Sequence, residues 1–212
     1  MDREALMILG LSGDPGVGEI RKAYLNRTTQ PRFQCVVFED PELSRDFSRL
    51  HEAYFSLLRR MSESGVEMTA PSSPRDIGQL LFNQGVYFMI QQNFLRAGEK
   101  FQEADRIQPR TPLVKLHLGI LLLKRRNLYA AEKYLQEATQ LLPKNDAPWR
   151  YLAETYEHAG KFKAAETALR KALELNPSLQ GIAARIKALA AAARGGSATR
   201  SRSLLDRLLR RR

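Results

Sequence analysis

Three alanines, Ala97, Ala131 and Ala165, stand 34 residues apart, and the residues around them repeat in the same register. Phe101, Leu135 and Leu169 follow four positions later, then Ala104, Ala138 and Ala172, then Pro109, Pro143 and Pro177. Upstream lie Gly85, Gly119 and Ala153, then Phe88, Leu122 and Tyr156. A fixed period of this length marks stacked helix pairs, none of which can bury its apolar face alone. The small residues let paired backbones approach closely, and the large ones fill the space between layers. Each proline falls where a second helix must stop. The pattern predicts helix pairs near 77–90 and 94–107, 111–124 and 128–141, and 145–158 and 162–175. A further helix near 179–193, with Ile182, Ile186 and Leu189 at helical spacing, reads as a cap over the last pair.

These columns resemble the tetratricopeptide repeat, with Trp149, Leu152, Ala153 and Tyr156 the nearest copy of its pattern. The resemblance implies repeats at 78–111, 112–145 and 146–179, and a surface that holds partners. In this family the first helix of each pair lines a concave groove. Helical spacing then points Phe82, Val86, Met89 and Ile90 inward in the first repeat, and Leu116, His117, Ile120 and Leu123 in the second. In the third the inward residues are Arg150, Tyr151, Glu154 and His158. One kind of tetratricopeptide module clamps the C-terminal carboxylate of heat-shock chaperones with Lys, Asn and Arg. Here the corresponding places hold Phe82, Val86, His117, Ala147 and Tyr151, so that clamp is missing. An apolar trough, polar at one end, suits an amphipathic helix or an apolar peptide instead.

The first 62 residues are a different body. Residues 1–70 carry a charge of −2, residues 71–194 carry +8 and residues 195–212 carry +5, within a total of +11. The change of sign, with Gly65, Pro71, Ser72, Ser73 and Pro74 in one stretch, places a linker at 63–76. Before it, Ala5, Leu6, Ile8 and Leu9 give a short helix, Ile20, Ala23, Tyr24 and Arg27 open a basic one, and Phe47, Leu50, Ala53, Tyr54, Leu57 and Leu58 mark one face of a long one.

Leu9-Gly10-Leu11, Ile20-Arg21-Lys22-Ala23-Tyr24 and Phe47-Ser48-Arg49-Leu50-His51-Glu52-Ala53-Tyr54 resemble a J-domain, the module that activates ATP-driven heat-shock chaperones. The resemblance covers about residues 3–60 and implies Leu9, Tyr24, Leu50, Ala53 and Tyr54 as core. The family's activating His-Pro-Asp is absent, since its place reads Pro31-Arg32-Phe33-Gln34. The expected fold is therefore all-α: a three-helix J-like domain at 1–62, then a three-repeat solenoid with its capping helix at 77–193.

Residues 194–212 read as a basic amphipathic tail. Leu204, Leu205, Leu208 and Leu209 fall on one helix face, with Arg207 and Arg210 among the opposing arginines. So short a helix is marginal alone and should fold on a partner protein, on the groove of this or another copy of the chain, or on an anionic membrane. Nucleic acid is not expected, because no aromatic interleaving or binding module accompanies the charge.

The sequence offers no catalytic cluster. His51, His117 and His158 lie in different helices without metal-ligand spacing, and Gly13-Asp14-Pro15-Gly16-Val17-Gly18 lacks the Lys-Ser/Thr of a phosphate loop. Cys35 is the only cysteine, which excludes an intrachain disulfide. No cofactor or metal is expected. With acidic residues at the start and no long apolar run, the expectation is a cytoplasmic, non-enzymatic adaptor for protein partners; the alternative is a co-chaperone or a chaperone for apolar segments of client or secreted proteins.

Overall fold

The computed structural model describes residues 2–33, 36–68, 71 and 73–194. Every regular element among them is helical. Three helices come first, α1 (Arg3–Leu9), α2 (Val17–Thr28) and α3 (Pro41–Glu63), with short 3-10 turns at Pro31–Phe33 and Val37–Glu39. Seven more follow: α4 (Pro74–Ile90), α5 (Phe94–Ile107), α6 (Pro112–Lys124), α7 (Leu128–Leu141), α8 (Ala147–His158), α9 (Phe162–Leu175) and α10 (Ile182–Arg194). The expected repeat helices are thus present within a few residues of where periodicity put them. The exception is α4, which starts earlier because Pro74 stands in its first turn. There the missing N–H costs nothing, and Ser73 caps the helix by accepting from Asp76 N at 3.0 Å.

The first three helices are built by local chemistry. Asp2 caps α1, and Asp40 caps α3 by accepting from Glu42 N at 2.8 Å and Leu43 N at 3.1 Å. Their apolar faces close on Leu9, Ile20, Phe47, Leu50 and Leu57, all buried. Tyr24 stacks on Tyr54 with centroids 4.3 Å apart, and Phe33 meets Phe47 edge to face at 5.6 Å.

Each repeat turns the same way between its two helices. Gln92 (φ 57°), Arg126 (φ 62°) and Gly160 (φ 72°) stand in the left-handed region at equivalent places. The next N–H reaches back along the first helix: Asn93 to Phe88 O at 2.8 Å, Asn127 to Leu122 O at 2.9 Å and Lys161 to Tyr156 O at 2.8 Å. This closure satisfies the last carbonyls of the first helix. Asn93 and Asn127 then cap the second helix, accepting from Arg96 N and Ala130 N. The small-residue columns do what close packing requires. A Cβ on Gly85 would run into the Phe101 ring, and Ala97, Ala131 and Ala165 are fully buried.

The chain divides into two compact units, Met1–Leu121 and Leu122–Arg212. The division lies within α6. The reason is that α2, α3 and the Val37–Glu39 turn all pack against α4, which makes the first three helices and the first repeat one body. In the second unit α7, α8, α9 and α10 pack in succession. Ala153, Ala165, Ala168, Leu169, Ile182, Ile186 and Leu189 form its core, with α10 closing the end as the capping helix. Arg185 of α10 forks onto Glu157 of α8 through two hydrogen bonds of 2.8 Å.

Substituting Ala131→Leu should overpack the second repeat and lower stability by roughly 1–3 kcal/mol. Thermal unfolding of the purified variant measures it; an unchanged midpoint would contradict the 34-residue register.

Candidate functional site

In the first unit most of the α4 and α6 residues expected to line a groove are buried. Phe82, Val86, Met89, Leu116, His117 and Ile120 are all buried, and Ile90 is half-buried. Part of the cover comes from the chain itself. Phe38, on the 3-10 turn before α3, meets the His117 ring edge to face at 5.8 Å. The same imidazole lies 5.0 Å from Phe82 and 5.5 Å from Phe101. Its Nδ1–H donates to Leu113 O at 2.8 Å, one turn back in α6. Its Nε2 is buried and has no hydrogen-bond partner among the described residues. Val36 and Val37 beside Phe38 are buried too, and Ser44 Oγ donates to Val37 O at 3.1 Å to hold the turn against α3.

A second set of contacts joins α2 and α3 to α4, and it is polar. Asn83 is fully buried; its amide donates to Thr28 Oγ1 at 2.8 Å and its Oδ1 accepts from Gln79 Nε2 at 2.9 Å. The Thr28 hydroxyl in turn donates to Tyr24 O at 3.0 Å. The His51 ring stacks on Tyr87 at 4.2 Å, and its Nδ1 lies 2.8 Å from the Tyr24 hydroxyl. Tyr87 Oη donates to Glu52 at 3.3 Å. Burial holds the Tyr24 hydroxyl well above its ordinary pKa, so it stays protonated. Burial also pushes the imidazoles of His51 and His117 down to about 4.

In the second unit Leu123 is buried, and the inward residues of α8 are polar. Arg150 Nε lies 2.8 Å from Asp146, which also accepts from Asn176 at 3.5 Å. The Arg150 guanidinium sits 5.6 Å over the ring of Tyr151, itself nearly buried. Arg126 donates to His158 Nδ1 at 2.9 Å, which leaves the proton on Nε2 facing Glu154 at 3.9 Å. Burial, then the Arg126 charge, lowers the His158 pKa. Glu154 and His158 remain partly exposed. The expected tail residues Leu204, Leu205, Arg207, Leu208, Leu209 and Arg210 lie outside the described residues.

Sequence reasoning missed Phe38, Thr28, Asn83 and Tyr87. The run Val36-Val37-Phe38 was a visible apolar signal inside an irregular stretch, whereas a lone buried asparagine leaves no periodic trace. Among the described residues no group of three His, Cys, Asp or Glu side chains could hold a metal ion, and no helix is long and apolar enough to cross a membrane.

A family model described as tetratricopeptide repeat matches residues 122–193. No curated protein matches the chain. Among solved structures, MamA 41-end from Desulfovibrio magneticus RS-1 superposes with a TM-score of 0.53 at 15% identity, covering 92% of this chain and 96% of that one. The first tetratricopeptide domain of Spaghetti (RPAP3), bound to the HSP90 peptide SRMEEVD, gives a TM-score of 0.53 at 14% identity, covering 55% of this chain and 93% of that one. The first such domain of human RPAP3 gives 0.52 at 15% identity, covering 57% and 94%. The fold is therefore the helical solenoid of tetratricopeptide repeats.

The buried groups of the first unit make its stability sensitive to pH and to added charge. The imidazoles of His51 and His117 are harder to protonate in the fold than in the unfolded chain, whose value is about 6.5. Their neutral state stabilises fully above that pH, and the benefit is lost as pH falls from about 6.5 towards 4, by up to about 3 kcal/mol for each. Unfolding midpoints measured between these pH values should fall with acidification, and His51→Phe should flatten the profile. Leu116→Glu should unfold the first unit rather than only weaken binding, because it buries a carboxylate without a partner and costs several kcal/mol; circular dichroism decides.

Proposed function

We propose that this chain is a non-enzymatic adaptor of the cytoplasm that holds protein partners on the inner face of its repeats. Tetratricopeptide folds generally mediate protein–protein interaction, and the partner class that suits this face is an amphipathic segment. The observation that carries the reading is the contrast between two inner faces. On α4 and the first turns of α6 the residues are largely apolar and buried, with Phe38 of the N-terminal region against His117. On α8 it is polar, with Glu154 and His158 partly exposed and joined to each other only by a long 3.9 Å contact. A basic or hydrogen-bonding group on a partner can compete for such a carboxylate at little cost.

The N-terminal three helices, which resemble a J-domain without its activating tripeptide, serve in this reading as a docking head. The stretch that would carry His-Pro-Asp is used for packing instead. Phe33 is buried against Phe47, and Arg32 pairs with Asp46 at 2.9 Å. These contacts favour the adaptor over a co-chaperone that switches a heat-shock ATPase. The tail, by its leucines and arginines, adds a second contact with a partner, with the groove of this or another copy of the chain, or with an anionic surface.

Capture from native lysate on the full chain and on its Glu154→Lys variant tests the proposal. A protein retained by the first and reduced at least about fivefold on the folded second is the expected result. Equal retention by both would remove α8 as the contact surface, and a turnover activity of the purified chain would overturn the adaptor reading.

A further inference from the structure

We infer that the second unit carries a lipid-facing edge: the turns at one end of its helix pairs, with the arginines and leucines that follow α10, dock on an anionic bilayer surface. This deepens the reading of residues 194–212 given above and does not depend on the α8 contact surface. The charge of the chain is unevenly placed. Residues 1–121 hold fifteen Lys and Arg against fifteen Asp and Glu, so the first unit is neutral. Residues 122–212 hold nineteen against eight and carry the entire +11. Within them, the stretches 124–129, 158–163 and 194–212 hold twelve Lys and Arg and one acidic residue, Asp206. The other seven basic and seven acidic residues of the unit cancel.

The fold gathers the first two stretches on one edge. Each is the turn from the first helix of a pair to the second, α6 to α7 and α8 to α9. Arg126 donates to His158 Nδ1 at 2.9 Å, which joins one turn to the next. Arg194 ends α10 and stands 34 residues after Gly160, as Gly160 does after Arg126, so the repeat register brings it to the same edge. Arg125, Arg126, Lys163 and Arg194 are exposed. Against them stand Glu132, which pairs with Lys161 at 2.7 Å, and Glu154, 3.9 Å from His158. The loops at the opposite edge, 142–146 and 176–181, hold one charge of each sign, Lys144 and Asp146.

Charge alone would suit any polyanion, and two further features select a bilayer. Tyr129, in the first turn of α7, is 86% exposed, an aromatic ring with a polar tip of the kind that rests among lipid headgroups. Leu204, Leu205, Leu208 and Leu209 recur at helical spacing among the arginines that follow α10. Leucines gain from an acyl layer beneath anionic headgroups and gain nothing from a sugar-phosphate backbone. A single weak apolar signal gives reversible attachment, and a basic patch beside it makes the attachment stable. The folded edge supplies that patch, each Lys or Arg near an anionic surface strengthening binding about fivefold.

The test is sedimentation of the full chain with vesicles of phosphatidylcholine, alone or with about one third phosphatidylserine. Binding should require phosphatidylserine and weaken about tenfold or more between roughly 0.05 and 0.5 M salt. Arg125→Gln, Lys163→Gln and Arg194→Gln together should weaken it about tenfold or more. Lys144→Gln, Arg170→Gln and Lys171→Gln remove the same charge away from the edge and should weaken it less than about threefold. Leu205→Ser with Leu208→Ser should weaken it about fivefold or more at unchanged net charge. Circular dichroism establishes that each chain is folded; if a triple variant is not, Arg125→Gln with Lys163→Gln against Lys144→Gln with Lys171→Gln carries the same comparison. Absence of binding to the anionic vesicles overturns the proposal, and equal losses from the two charge variants do so too. So does binding that survives the leucine changes, or tighter binding to a polyglutamate peptide or a double-stranded oligonucleotide than to the vesicles. Glu154→Lys should bind the vesicles at least as well as the unsubstituted chain. Edge-specific vesicle binding alongside equal lysate capture by Glu154→Lys would uphold the lipid edge and reject the α8 surface; the reverse pattern would do the opposite.

Discussion

A hydrogen bond from the Asn83 amide to the Thr28 hydroxyl, 2.8 Å long and sealed from water, ties the first repeat to the helices that precede it. Around it the Tyr24 hydroxyl meets His51, and His51 stacks on Tyr87. Buried polar groups of this kind are unforgiving. Satisfied, they fix one relative placement of α2, α3 and α4; unsatisfied, each costs as much as a lost core contact. The joint therefore decides that the N-terminal helices and the first repeat are one body. It also decides that the Val37–Glu39 turn lies where Phe38 can reach His117.

The rest of the array is held by a different rule. Small residues at Gly85, Ala97, Ala131 and Ala165 admit close approach, and Phe101, Leu135 and Leu169 fill the layers they leave. This packing needs only a repeating pattern and no long-range specificity. At the far end of the second unit the Arg185–Glu157 fork fixes the capping helix, since an unpaired Glu157 carboxylate would be buried without compensation.

These two rules leave different surroundings in the two units. Where the polar joint brings the head onto the array, the apolar residues are used up in folding and one ring stands over one unsatisfied imidazole. Where the array stands on periodic packing, as on α8, charged groups stay partly accessible.

Much of this was legible in the residues themselves. The period of 34 placed six repeat helices and a cap, because small–large alternation at fixed spacing is a local property of the chain. The apolar faces of α2 and α3 were legible for the same reason, and Leu9, Tyr24, Leu50, Ala53 and Tyr54, which the J-domain resemblance implied as core, are buried. Helical spacing also named residues of each first helix as a groove, but not whether they meet solvent or their own chain. That was decided by contacts across 55 residues between Thr28 and Asn83 and by the reach of Phe38 to His117. A single buried hydrogen bond or ring contact has no periodicity, so only the tertiary structure, by bringing distant side chains within bonding distance, could reveal these contacts.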